Sequence, residues 1–257
     1  MSILAQSDLG ESGMFEPSET IVGEEETVPS PKREKRLLRK SAKVIGWVFV
    51  ATGILTLAWV LVVWRWQDPF TALYTHFEQA RLARAYDRRA AAFDPKLRPS
   101  DLVSSRRRIP AEARAYARTL GVGAPVGRLR IGRLGLNMVV VQGTDGSTLQ
   151  RGPGHYIGSA LPGQGRLIYV AGHRTTYLAP FADIEDIRVG DYVHFDVPYG
   201  DFTYRVTRHF VVPATTLSML RDRGSEVLRL QACHPRFFAT QRYIVDASLV
   251  SVTQARD

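Results

Sequence analysis

The chain has almost none of the groups that staple small folds. Among 257 residues there is one cysteine, Cys233. A lone thiol makes no internal disulfide, so the fold must stand on its apolar core. The same scarcity argues against a structural zinc, which takes about four ligands in tetrahedral geometry. No metal and no cofactor is expected. Lys and Arg are missing from residues 1–31, which carry seven acidic residues. Rich also in Gly, Ser and Pro, this segment buries too little apolar surface to offset ordering and reads as a disordered tail. Nor is there a basic face in the C-terminal part. Residues 127–257 hold fifteen basic and eleven acidic residues, so the net charge of +9 arises mostly elsewhere. No nucleic-acid partner is called for.

Charge of either sign is absent from "VIGWVFVATGILTLAWVLVVW", residues 44–64. As a helix these 21 residues reach about 31 Å, enough for a hydrocarbon core of roughly 30 Å. Trp47, Trp59, Trp64 and Trp66 lie toward the ends, where interfacial anchors sit. The alternative is a cleaved signal peptide. The run is long for a signal core, the leader before it is long, and no small-x-small cleavage site follows. Residues 32–43 carry seven basic residues, against Arg65, Arg81 and Arg84 on the other flank. The positive-inside rule then places residues 1–43 in the cytoplasm and residues 65–257 outside, on a single-pass protein of the plasma membrane in contact with its lipid.

Residues 65–126 read as a helical stalk. "FTALYTHFEQARLARAYDRRAAAF" suggests an exposed helix ended by Pro95 and Pro99, and "IPAEARAYARTLG" a second, shorter one. From Gly127 the pattern changes to short apolar strands and Gly/Pro turns: "RLRIGRLG" and "NMVVVQG" as a hairpin, then "RLIYVAGH", "DYVHFDVPYGDFTYRVTRHFVVP", "EVLRLQAC" and "RYIVDASLVSV". Many short strands with little helix predict a closed barrel or sandwich over residues 127–257.

Six histidines are candidates for a partner to the thiol. His76 lies on the stalk and His155 in a Gly/Pro turn. His194 and His209 alternate with apolar neighbours and are expected to face outward. His234 adjoins Cys233, but successive residues of a strand point to opposite faces. His173, at the end of "LIYVAGH", is left. A thiol near its reference pKa of ~8.5 is mostly protonated at neutral pH. An imidazole can take its proton, and a cation can hold the oxyanion of an attacked carbonyl. Arg242, nine residues after Cys233, could serve as that cation. Spacing alone leaves open that Cys233 is simply a small buried hydrophobe.

"LQACHPRFFATQRYIV" resembles the active-site segment of the sortase family, in which a strand ends in Cys and an Arg follows about nine residues on. "YVAGHRTTYLAPF" is similar to the segment carrying the family's catalytic His, and "GPGHYIGSALPGQG" and "IRVGDYVHF" match in order. The likeness covers about residues 125–252. "AGHRTTY", "CHPRF" and "RYIV" resemble class E sortases in particular.

The resemblance implies an all-β fold, an eight-stranded closed β-barrel with short helices, behind the membrane helix and stalk. It implies a transpeptidase in which Cys233 is nucleophile, His173 the general acid/base and Arg242 the oxyanion and substrate stabiliser. Tyr177, Thr175, Ala232 and His234 would line the substrate. Ala232 departs from the hydroxyl-bearing residues usual there. The substrates implied are secreted proteins with a C-terminal sorting signal of LAxTG or LPxTG type. They would be cut between Thr and Gly and passed to a cell-wall precursor amine. Three rivals stay open: a cysteine endopeptidase, a pilin-polymerising sortase with residues 95–126 as a lid, and a non-catalytic anchored scaffold. Asp183, Glu185 and Asp186 are too weak a cluster to predict calcium.

Overall fold

The structure is a computed structural model that describes residues 31–66, 69–93 and 108–253. The acidic tail expected over residues 1–30 and the stop at Pro95 and Pro99 lie outside them. The chain divides into two units, Met1–Leu57 and Ala58–Asp257.

Helix α1 runs from Pro31 to Trp66. Its stretch Arg39–Val62 is long and apolar enough to cross a membrane, with a mean hydropathy of 2.2 and none of it buried inside the protein. Trp47, Phe49 and Leu55 are each at least 70% exposed, a cost in water that lipid removes.

The C-terminal unit is built on period-two alternation. Eight strands close a barrel in the order β1-β2-β3-β4-β7-β8-β6-β5. They are β1 Pro125–Ile131, β2 Leu136–Gln142, β3 Gly154–His155, β4 Leu167–Gly172, β5 Tyr192–Val197, β6 Gly200–Pro213, β7 Val227–His234 and β8 Gln241–Thr253. Inward residues of these strands, such as Leu129, Val140, Phe195, Phe202, Tyr204, Leu228, Leu230 and Val245, form one core. The β1–β2 hairpin turns through Gly135 at φ 60°, a left-handed position that glycine takes without strain. β2 with β3 and β4 with β7 are parallel, and the other pairs antiparallel.

Two expectations change. Helix α2, Pro69–Ala92, reads as exposed in sequence, but one side of it lies on the barrel. Leu82 and Tyr86 pack on Val139 and Val141. Gln79 takes the amide of Val139 and donates to its carbonyl and to that of Arg151, at 2.7–3.0 Å. The signal is present as apolar or small residues at 75, 82, 83, 86 and 90, but alanine and arginine dominate the segment.

His155 is also different. It lies in β3, 1% exposed, with Nδ1 2.8 Å from Gln142 Oε1 and Nε2 2.8 Å from the Ala160 carbonyl. Two residues are too short a strand to show in sequence, and β3 exists because β2 and β4 flank it. Burial pushes the His155 pKa down to about 4.

His209 is exposed, as expected; a bulge between Val206 and Arg208 places it opposite Val245, and its ring stacks on that of Tyr243 at 5.9 Å.

Helix α3, Ile109–Ala117, inserts Ile109, Ala113 and Tyr116 into the core. The Tyr116 ring meets that of Tyr199 at 5.8 Å, next to the start of β6. This helix closes the barrel at the end where β4, β6 and β7 begin.

Candidate active site

The parallel pairing of β4 with β7 decides what meets Cys233. The two strands run side by side up to Gly172 opposite Ala232. His173 follows directly on that last pair in one chain and Cys233 in the other. On the other side of β7, Cys233 stands directly opposite Arg242 of β8. Cross-strand partners point to the same face, so the Cys233 and Arg242 side chains leave one face of the sheet, with His173 just past the end of the adjoining β4, at the end of the barrel away from α3. The described part of residues 95–126, from Arg108 on, therefore does not cover this site. Cys233 is partly exposed and open to attack chemistry.

Each group is prepared by its surroundings. Gly172 before His173 has no room for a side chain: a Cβ there would come within 2.6 Å of the Phe181 ring. Phe181 returns its amide to the His173 carbonyl at 3.1 Å, which pins the ends of the loop between them. His173 Nε2 is buried with no hydrogen-bond partner among the described residues. A buried imidazole nitrogen without a partner is held ready for a proton or a substrate group. Burial lowers the His173 pKa, so the ring is neutral at pH 7. Arg242 donates through Nη1 to the carbonyls of Ala239 and Gln241, at 2.7 and 2.8 Å. That fixes the guanidinium while Nε and Nη2 make no bond to the described residues.

The proposed substrate residues divide. Tyr177 is on the site side, its ring 5.3 Å from that of His173. It opens a run of three left-handed residues, with Leu178 and Ala179, at φ 54°, 60° and 35°. Thr175 lies in the same loop, half-buried. Ala232 and His234 do not join them. They alternate with Cys233 and turn to the other side of β7. Ala232 is fully buried in the core, so it offers no surface to a substrate. His234 lies 5.8 Å from the Tyr243 ring.

Sequence reasoning passed over Arg174, although it adjoins His173. It is 4% exposed and pairs with Glu185. It donates to the carbonyls of Ala182 and Cys233, at 3.2 and 3.4 Å, and lies 3.0 Å from His234 Nδ1. A guanidinium only donates, so His234 Nδ1 accepts and its proton is on Nε2. Arg236, after Cys233, reaches the same Ala182 carbonyl and Asp183. Two arginines thus tie the loop of the histidine to the strand of the cysteine. They also engage Asp183 and Glu185, and no group of carboxylates or histidines among the described residues is arranged to hold a metal.

Residues 129–250 match the model of the sortase domain. Over 127 residues the chain is 31% identical to Sortase D of Bacillus subtilis (strain 168), which covers 48% of this chain and 63% of that protein. It therefore spans less than two thirds of that relative's length. In three dimensions it is similar to a Clostridium perfringens Sortase D5 transpeptidase, with TM-score 0.50 and 22% identity over 59% of this chain and 95% of that one. It is also similar to Streptococcus agalactiae sortase C1, with TM-score 0.53 and 21% identity over 65% and 95%. These likenesses show the fold, and they span more than one sortase class. His173, Cys233 and Arg242 all lie within the matched residues 129–250.

Proposed function

We propose that the chain is a membrane-anchored sortase transpeptidase of the class E type, with its N-terminus in the cytoplasm and its barrel outside. The observation that supports this reading is strand register: Arg242 is paired with Cys233, and β4, which His173 follows, is paired with β7 up to Ala232.

His173 takes the proton of the Cys233 thiol, and the thiolate attacks the carbonyl carbon of the Thr–Gly bond in a sorting motif. Arg242 holds the oxyanion through its uncommitted N–H groups. The C–N bond breaks as His173 gives its proton to the leaving glycine amine, and the acyl group stays on sulfur. A wall-precursor amine then attacks the thioester, gives a proton to the now neutral His173 and releases the thiolate. Proton transfer by His173 contributes typically ~10²–10⁴-fold. Arg174 and Arg236 keep the histidine loop and the end of β7 in register.

Tyr177 supports an LAxTG over an LPxTG preference. A hydroxyl accepting the amide at the second motif position would be left unpaired by proline, which has no N–H. Such a loss costs about 1–3 kcal/mol, or roughly 5- to 150-fold in specificity constant.

The test is incubation of the chain with LAxTG and LPxTG peptides, with and without a glycine-based amine, and products read by mass. Transfer product with LAxTG ahead is expected, and Tyr177→Phe narrows the preference. Hydrolysis alone, unchanged by the amine, would make the protein an endopeptidase.

A further inference from the structure

We propose that an arginine-lined cavity at the start of β7 binds a phosphate- or diphosphate-bearing ligand. The cavity is about 240 Å³ and is lined by Arg208, Arg221, Arg223, Ser225, Arg229 and Asp246, with Leu167 and Val227 beneath. Four guanidinium groups meet one carboxylate there, an excess of three positive charges. Asp246 is fully engaged. It takes Nε and Nη2 of Arg229 at 2.6 and 2.8 Å, and Nε and Nη2 of Arg208 at 2.9 and 2.7 Å. Arg229, 3% exposed, gives its remaining nitrogen to the Met219 carbonyl. Arg208 lies over the Phe210 ring at 4.8 Å, which fixes its plane. This floor is rigid and charged.

Arg221 and Arg223 are different. Their side chains make no hydrogen bond or ion pair with the described residues. The neighbouring carboxylate, Asp222, is already held by Arg166 and by the amides of Leu167 and Gly224. Two free guanidinium forks at the mouth of a cationic cavity suit an anion with several oxygens. Guanidinium matches phosphate in a two-point geometry. An excess of three charges is better met by a diphosphate than by a single carboxylate, and the volume admits it.

The position adds a consequence that rests on the sortase reading. Arg229, Gln231 and Cys233 occupy one face of β7. Tyr169 reaches across it to Gln231 at 3.0 Å. Cys233 is four residues on from Arg229, about 13 Å at roughly 3.3 Å per residue. A phosphate seated in the cavity is too far from the thiol to react. It is placed to anchor one end of a longer molecule whose other end reaches the site.

The test uses the full chain in detergent, titrated with inorganic pyrophosphate at constant ionic strength and followed by calorimetry. Saturable binding of one pyrophosphate per chain is expected. Arg221→Ala/Arg223→Ala should weaken it by at least about tenfold, while Arg81→Ala on α2 leaves it unchanged. Neither loop arginine's side chain bonds to the described residues, so the double variant should keep its far-ultraviolet circular dichroism. Cys233→Ala should bind as the wild type does, which separates this site from the proposed chemistry. A second arm offers the chain farnesyl diphosphate in phosphatidylcholine vesicles. Tighter binding than free pyrophosphate identifies a lipid-borne headgroup, and equal or weaker binding a soluble diphosphate. Absence of saturation at millimolar pyrophosphate, or the same affinity in the double variant, would overturn the proposal.

Discussion

Cys233 and Arg242 face each other across β7 and β8, and the planar fork of Arg242 is held by two backbone carbonyls. A lysine there would keep the charge and lose the directed second donor. Arg242→Lys should therefore lower kcat/KM by about 10²–10³-fold, the usual cost of removing one oxyanion donor. Near-wild-type turnover in that variant would reduce the role of Arg242 to charge alone. His173 makes a separate prediction. Its buried imidazole titrates below the ordinary 6.5, so the acid limb of kcat/KM, which reports the free enzyme, should lie below that value. The three residues were legible from their motifs. Arg174 was not, because a buried arginine looks like any surface arginine until Cys233, Ala182 and Glu185 close around it.

At the scale of elements, alternation made most strands legible, since one face of each is apolar. Pairing was not legible, because the β4–β7 contact joins residues sixty positions apart. His155 illustrates the limit: "GPGHYIG" has turn composition, and only the flanking strands make it β3. It also gives the fold a pH dependence. The folded pKa of His155, about 4, lies below the ordinary 6.5, so between these values the unfolded chain binds more protons. Stability is fully present above the unfolded pKa and is lost as pH falls through the window, by about 3 kcal/mol at its lower end. Thermal unfolding of His155→Gln between pH 7 and pH 4 should fall less steeply than that of the wild type. The depressed pKa of His173 acts in the same direction and persists in the variant. An identical slope would show that His155 is protonated or exposed in the folded chain.

For the whole molecule, the apolar helix and the barrel were both visible in composition: one stretch without charge, then a domain of nearly balanced charge. Their division of labour predicts a topology. Protease added to cells stripped of their wall should remove the barrel domain and spare the N-terminal tail, and a chain beginning near residue 65 would instead show cleavage of a signal. The central claim is that Cys233 carries the acyl group between donor and acceptor. Intact mass of the full chain, mixed with an LAxTG peptide and no amine, tests it most directly. The account predicts a mass increase equal to the peptide up to its Thr, located on Cys233, discharged by added amine and absent from Cys233→Ala. Peptide cleavage without that adduct, or undiminished in Cys233→Ala, would contradict it.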